Sequence, residues 1–258
     1  MTIKKIEIHP GHWNATNSGA SGILNEVTEA RKVARRVTAI LQSANVPVIY
    51  FEDNRSTNQT QNVNWLIQEH NKDRDGLIVS IHLNASGKTQ NTPIGTEVLY
   101  YDQQNLASKM AKAISDATNG ELLNRGAKQR KELGVLARTH EPAILIEVCF
   151  VDSMVDVAVY RRDFEKICQA IAKELANHIG YATEQPVQKE EEKVMTLLND
   201  TGRQEIREML KKARTRTYTL NGVEVPLINP TIHTDAKINA YTDQQLLSYQ
   251  AAIINRLF

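Results

Sequence analysis

Cysteine is scarce in this chain of 258 residues, with only Cys149 and Cys168 present. Two thiols make no disulfide framework. One lies in an apolar run and the other on an expected helix, which suits synthesis in a reducing compartment. An excess of one charge is also missing: 31 basic residues stand against 30 acidic ones. Such a balance offers no electrostatic footprint for nucleic acid or an anionic membrane. Long apolar runs are absent as well. No segment has the length and apolarity to cross a bilayer. The opening MTIKKIEIHP enters a strand pattern without the apolar stretch of a secretory signal. The expectation is a protein made in the cytoplasm, with no membrane insertion and no nucleic-acid partner.

What is present is a regular alternation of strand and helix patterns over the first 180 or so residues. Runs rich in Ile, Val, Leu and Tyr predict strands over residues 3–9, 46–51, 77–82, 94–101 and 143–150. The strongest helical pattern covers 26–42, where Ala30, Val33, Ala34, Val37, Ile40 and Leu41 share a face and the arginines and Lys32 are expected to point outward. Further helices are expected over 60–71, 104–118 and 163–179. This order predicts an α/β fold: a mixed, mostly parallel sheet flanked by helices on both faces.

The character then changes. Residues 182–194, ATEQPVQKEEEKV, are polar and charged and read as a linker between a first domain, 1–181, and a small C-terminal α+β domain, 195–258. That second piece has a helical stretch with Ile206, Met209 and Leu210 on one face. It also has an Asn-Gly turn inside YTLNGVEVP, a hairpin signal, and a last helix with Thr242 and Gln245 at capping-box spacing. So small a unit has a thin core. Self-association through Leu246, Leu247, Ile253, Ile254 and Leu257 is one expectation for it.

The segment IEIHPGHW poses the chemical question: a strand closes in histidines around a Pro-Gly turn. His12 closes one strand and His82, in LIVSIHLNAS, closes another. In a parallel sheet both ends face one edge, where open α/β sheets place their ligands. Either imidazole alone reads more readily as a satisfied structural histidine than as a ligand. The other histidines, His70, His140, His178 and His233, have polar neighbours and read as surface residues. A metal site needs a third ligand and an open position. Glu26, opening the strongest helix, is the candidate, although dipole capping accounts for it too and Glu29 is a rival. Glu147 stands out most, as a carboxylate inside the apolar run PAILIEVCF. There it is costly unless paired or coordinated, and desolvation raises it toward the range of a general base. The competing reading is a Glu on the exposed face of an edge strand.

Taken together, HPGHW, SGILNEVTEARKVARRVTAIL, LIVSIHLNAS, NRGAKQRKELGVLART and PAILIEVCFVDS resemble, in order, the zinc-dependent N-acetylmuramoyl-L-alanine amidases of the amidase 3 type. These are enzymes of bacterial autolysins, mother-cell lysis and phage endolysins. The resemblance covers about residues 3–180. It implies Zn2+ held by His12, Glu26 and His82, with Glu147 as the catalytic carboxylate, and peptidoglycan as the substrate. Departures from the family pattern are His9 in place of Asp, Trp13-Asn14 in place of Gly-Gly, and Cys149 in place of Gly. His9 either orients His12 or caps its strand. Two imidazoles and a carboxylate leave zinc an open position, as a hydrolase needs. Asn84 and Arg138 are candidate substrate-binding residues, and Arg138 reads equally as a solvated arginine.

Without an export signal, a wall-cutting enzyme must be released by other means. An endolysin freed by a membrane-permeabilising partner fits first, and a mother-cell enzyme or autolysin second. The tail is then expected to anchor the wall. The purine-rich codons expected for KEEEKVM raise a further expectation, a shorter second product starting near Met195 that assembles with the full-length chain. The competing enzyme class is another zinc hydrolase, such as a peptidase or deacetylase.

Overall fold

Ile6 and Ile8 face one side of the first strand while Glu7 and His9 face the other, and that alternation sorts the layers of the whole first unit. In the computed structural model, residues 3–181, 200–213, 217–220, 223–226 and 238 are described. The chain forms two compact units, Met1–Thr183 and Glu184–Phe258.

The first unit runs β1 (Lys5–Pro10), α1 (Glu26–Ser43), β2 (Val48–Tyr50), α2 (Gln59–His70), β3 (Gly76–Asn84), β4 (Thr96–Tyr100), α3 (Gln104–Ala117), β5 (Asn124–Gln129), α4 (Gly134–Ala137), β6 (Ala143–Phe150) and α5 (Met154–His178). Its sheet has six strands in the order β2-β1-β3-β6-β4-β5. Strands β2, β1, β3 and β6 are mutually parallel; β4 is antiparallel to β6 and parallel to β5. The expected mixed, mostly parallel sheet covered on both faces is present.

One face buries Ile6, Ile8, Leu77, Val79, Ile81, Ile144 and Ile146 against α1, α3 and α5. The opposite face is thinner: Ile78, Leu99, Ala143 and Leu145 pack on Leu66 of α2 and on Val135 and Leu136 of α4. Each fully buried aliphatic side chain contributes about 1.5–3 kcal/mol, so the first layer carries most of the stability. The thinner layer leaves the carboxyl ends of β1, β3 and β6 free for polar side chains.

Three local expectations are corrected. Strand β5, NRGAKQ, was not expected, because its residues are polar and partly exposed at a sheet edge, where alternation is lost. Helix α5 starts at Met154, not near residue 163; Ser153 caps it, and non-helical torsions at Asp163 (φ −108°, ψ 19°) mark a kink inside it. Arg31 does not point outward with the other arginines of α1; it is 5% exposed.

In the second unit, α6 (Asp200–Ala213) buries Ile206 and Leu210. Strands β7 (Thr217–Leu220) and β8 (Val223–Pro226) pair antiparallel, with Leu220 opposite Val223. The expected linker, the start of a shorter product near Met195, His233 and the last helix lie outside the described residues.

Candidate metal centre

The Pro10-Gly11 turn throws the chain sharply out of β1, and His12 follows with φ +63°, in the left-handed region. Arg31 secures that turn from α1. Its guanidinium donates to the carbonyl oxygens of His12 (3.2 Å) and Val27 (3.0 Å), and its Nε lies 3.4 Å from Glu52 Oε1. Gly11 matters for a second reason: a Cβ there would lie 2.2 Å from the His82 ring. The two strand ends are thus pressed together by a residue without a side chain.

Glu26 is the first residue of α1, capped by Asn25, whose side chain accepts from Thr28 N–H at 3.1 Å. The Glu26 carboxylate reaches back between the two histidines. Oε2 is 3.0 Å from His12 Nε2, and Oε1 is 2.9 Å from His82 Nδ1. The Ala20 N–H donates to Oε2 at 2.7 Å and fixes its rotation. Burial pushes the Glu26 carboxyl upward, but hydrogen bonds and charge from His12 and His82 outweigh it and hold the group well below the usual carboxylate range. Glu29, the rival, turns away. It pairs with Lys32 at 2.7 Å and accepts from the Tyr160 hydroxyl at 3.0 Å.

The donor set fits a metal ion. Ligand atoms of His12, Glu26 and His82 all lie within 4.8 Å of one another. The Glu26 carboxylate meets one imidazole through each oxygen, and two imidazoles with one carboxylate are the donor types a zinc ion takes.

Glu147 lies beside this triad. In β6 it pairs in register with His82 of β3 on one side and with Glu97 of β4 on the other. It is therefore on an interior strand, which removes the edge-strand reading. Its Oε2 is buried and has no hydrogen-bond partner within the protein. Burial above all, then the charges of Glu26 and Glu97, push its pKa up to about 8, with Arg130 opposing. Asn84, at the end of β3, donates to Glu97 Oε1 at 3.1 Å. Arg125, unmarked by any periodic signal in its polar strand, binds Glu97 Oε2 through Nε at 2.7 Å and lies 5.0 Å over the Phe150 ring.

Arg138 is not brought to this group. It ends α4 and donates to Asn64 of α2 at 3.2 Å, ahead of the amino end of β6. From Ala143 to Glu147 that strand rises about 13 Å. A second carboxylate cluster, Glu7, Asp73 and Glu141, also has oxygens within 4.8 Å of one another. Lys5 sits among them, 2.7 Å from Glu7 and 2.6 Å from Asp73, so an ammonium already answers that charge.

A parallel α/β edge that gathers two imidazoles and a carboxylate around one point, with a second buried carboxylate alongside, is a candidate metal centre of the kind that metal-dependent hydrolases use. Residues 6–179 match the family described as N-acetylmuramoyl-L-alanine amidase, and the chain belongs to it. Zinc dependence is typical of that family. A similar solved structure is the catalytic domain of the CD27L endolysin targeting Clostridia difficile, 28% identical, with a TM-score of 0.57, covering 67% of this chain and 97% of that one. An uncharacterised protein of Clostridium perfringens is 32% identical over 178 residues, 68% of this chain and 51% of its own length. An endolysin of Bacillus phage SPP1 is 25% identical over 62% of this chain and 59% of its own. The chain thus spans about half the length of the curated relatives it matches. Among the described residues, no helix is long and apolar enough to cross a membrane.

Proposed function

We propose that this chain is a zinc amidase that hydrolyses the bond between the lactyl carbonyl of N-acetylmuramic acid and L-alanine of the stem peptide in peptidoglycan. The observation that carries the proposal is the convergence of His12, Glu26 and His82 next to the buried carboxyl of Glu147, in register with His82 on an interior strand. His12, Glu26 and His82 hold the metal. When bound, zinc supplies Lewis acidity toward the amide carbonyl and lowers the pKa of water at the site. With the metal in place its charge would favour the ionised Glu147 carboxylate, which would take a proton from the attacking water and deliver it to the amide nitrogen as the C–N bond breaks, leaving a carboxylic acid and an amine. Arg125, paired with Glu97 opposite Glu147, is the candidate to receive a carboxylate of the stem peptide through its remaining N–H groups, in preference to Arg138, which donates to Asn64 of α2.

Endolysins among the similar proteins support a phage lytic role, with the enzyme made in the host cytoplasm and released to the wall at lysis. The second unit then serves as a wall-anchoring or self-association module, joined by full-length chains and by a product starting near Met195. Intact-mass and light-scattering measurements on the expressed protein test that part; a single full-length monomeric species disposes of it. The activity itself is tested on purified cell walls. Amidase action exposes L-alanine amino termini, a deacetylase frees acetate, and a peptidase exposes amino termini other than L-alanine.

A further inference from the structure

His70, expected at the surface, is fully buried and is the centre of a polar line across the α2-facing side of the sheet. Lys5 Nζ lies 2.7 Å from Glu7 Oε1. The other Glu7 oxygen is 2.7 Å from His70 Nδ1, and His70 Nε2 is 2.9 Å from His9 Nδ1. Exposure of Glu7, His70 and His9 is 1%, 0% and 0%.

Whichever tautomers the two rings adopt, the His70–His9 bond occupies His9 Nδ1 and leaves His9 Nε2 as the polar end of the line, an acceptor when Nδ1 carries the proton and a donor when it does not. Burial first, then the neighbouring His70 and His82, push the His9 imidazole well below its usual range, so it stays neutral. Its Nε2 is buried without a partner in the protein, and so is the Ser80 hydroxyl, which stands beside His9 in the β1–β3 register. Two residues along the same face of β3, His82 stands opposite Glu147, whose Oε2 is the third such atom.

An unsatisfied buried polar atom costs about 1–3 kcal/mol. Ordered water is the usual partner of such an atom. The three atoms are a ring nitrogen, a hydroxyl that both donates and accepts, and a carboxyl oxygen, and they sit on one face of the neighbouring strands β1, β3 and β6.

We propose that His9, oriented by His70 and Glu7, is a positioning residue for Glu147: its Nε2, the Ser80 hydroxyl and Glu147 Oε2 share ordered water that holds the Glu147 carboxylate at the angle the reaction uses. The inference rests on Glu147 being the proton carrier of the amidase reaction. It assigns a purpose to a histidine that neither binds the metal nor meets solvent.

His9→Phe keeps a ring and removes both nitrogens. His9→Gln removes the ring but keeps a side chain with both a donor and an acceptor. On a soluble muramoyl-peptide, with zinc-loaded protein, His9→Phe is expected to lower kcat about 10–100-fold while KM and zinc per chain hold. His9→Gln recovers most of the loss. Ser80→Ala lowers kcat several-fold, and the double variant loses less than the product of the single effects, because both act through one water cluster. Variants that lose stability but keep full kcat while folded point to packing alone and overturn the proposal. If His9→Phe does not fold, Ser80→Ala and a high-resolution structure of the zinc-loaded protein decide it: water density linking the three atoms is expected, and its absence overturns the proposal. A wild-type protein without amidase activity defeats the functional reading instead. Full activity in the wild type, His9→Phe and Ser80→Ala defeats only this one.

Discussion

Removing the charge of Glu147 should make the metal-free protein more stable, and only at the higher pH. In the folded chain the Glu147 carboxyl is pushed up to about 8 from the usual 4.5, first by burial and then by Glu26 and Glu97. Between those values the folded state holds a proton that the unfolded chain has released, so stability falls as pH rises through that window. The distance from 4.5 to 8 corresponds to about 5 kcal/mol at 1.36 kcal/mol for each unit. Water at the cleft reduces this to roughly 2–3 kcal/mol. Glu147→Gln carries no such proton, so the two proteins should melt together near pH 4.5. By pH 8 the variant should melt about 5–10 °C higher, at roughly 2–4 °C per kcal/mol for a domain of this size. The assay is calorimetry with a chelator present, repeated with zinc, whose charge favours ionised Glu147 and should narrow the gap. Melting curves that stay parallel from pH 4.5 to 8 would refute the reasoning.

Other expected outcomes follow from single contacts. Gly11→Ala forces the His82 ring aside and should weaken zinc binding about 10–100-fold in a chelator competition, with the fold intact by circular dichroism. Arg125→Ala should raise KM for a carboxylate-bearing muramoyl-peptide about tenfold and leave kcat nearly unchanged, whereas Arg138→Ala should alter neither. Asp156 accepts from the N–H groups of Ile94 (2.8 Å), Gly95 (2.9 Å) and Phe150 (3.2 Å). Asp156→Ala should therefore cost about 2–4 kcal/mol in urea unfolding.

The sheet was legible because β3 and β6 are buried on both faces and read as near-continuous apolar runs, while β1 alternates Ile6 and Ile8 with polar residues. The polar exceptions in those runs, His12 at the turn, His82 and Glu147, were visible against that background. Glu26 could be chosen over Glu29 only by resemblance; the structure separates them by direction, since Glu29 turns toward Tyr160. Arg125 was missed because an exposed edge strand has no hydrophobic period to announce it. His70 and Arg31 were misplaced for a common reason. Their sequence neighbours are polar, but their partners, Glu7 and His9 for one and the Gly11-His12 turn for the other, come from a distant strand. Local pattern reports a residue's own helix and not what crosses beneath it.

The most direct measurement loads the purified protein with one equivalent of zinc and follows the release of L-alanine amino termini from purified walls. Wild type and the Glu147→Gln and His82→Ala variants are compared, with metal content determined for each. The account predicts release by the wild type that a chelator abolishes, a zinc-replete but inactive Glu147→Gln, and a zinc-depleted, inactive His82→Ala. Undiminished release by either variant, or by the metal-free wild type, would contradict it.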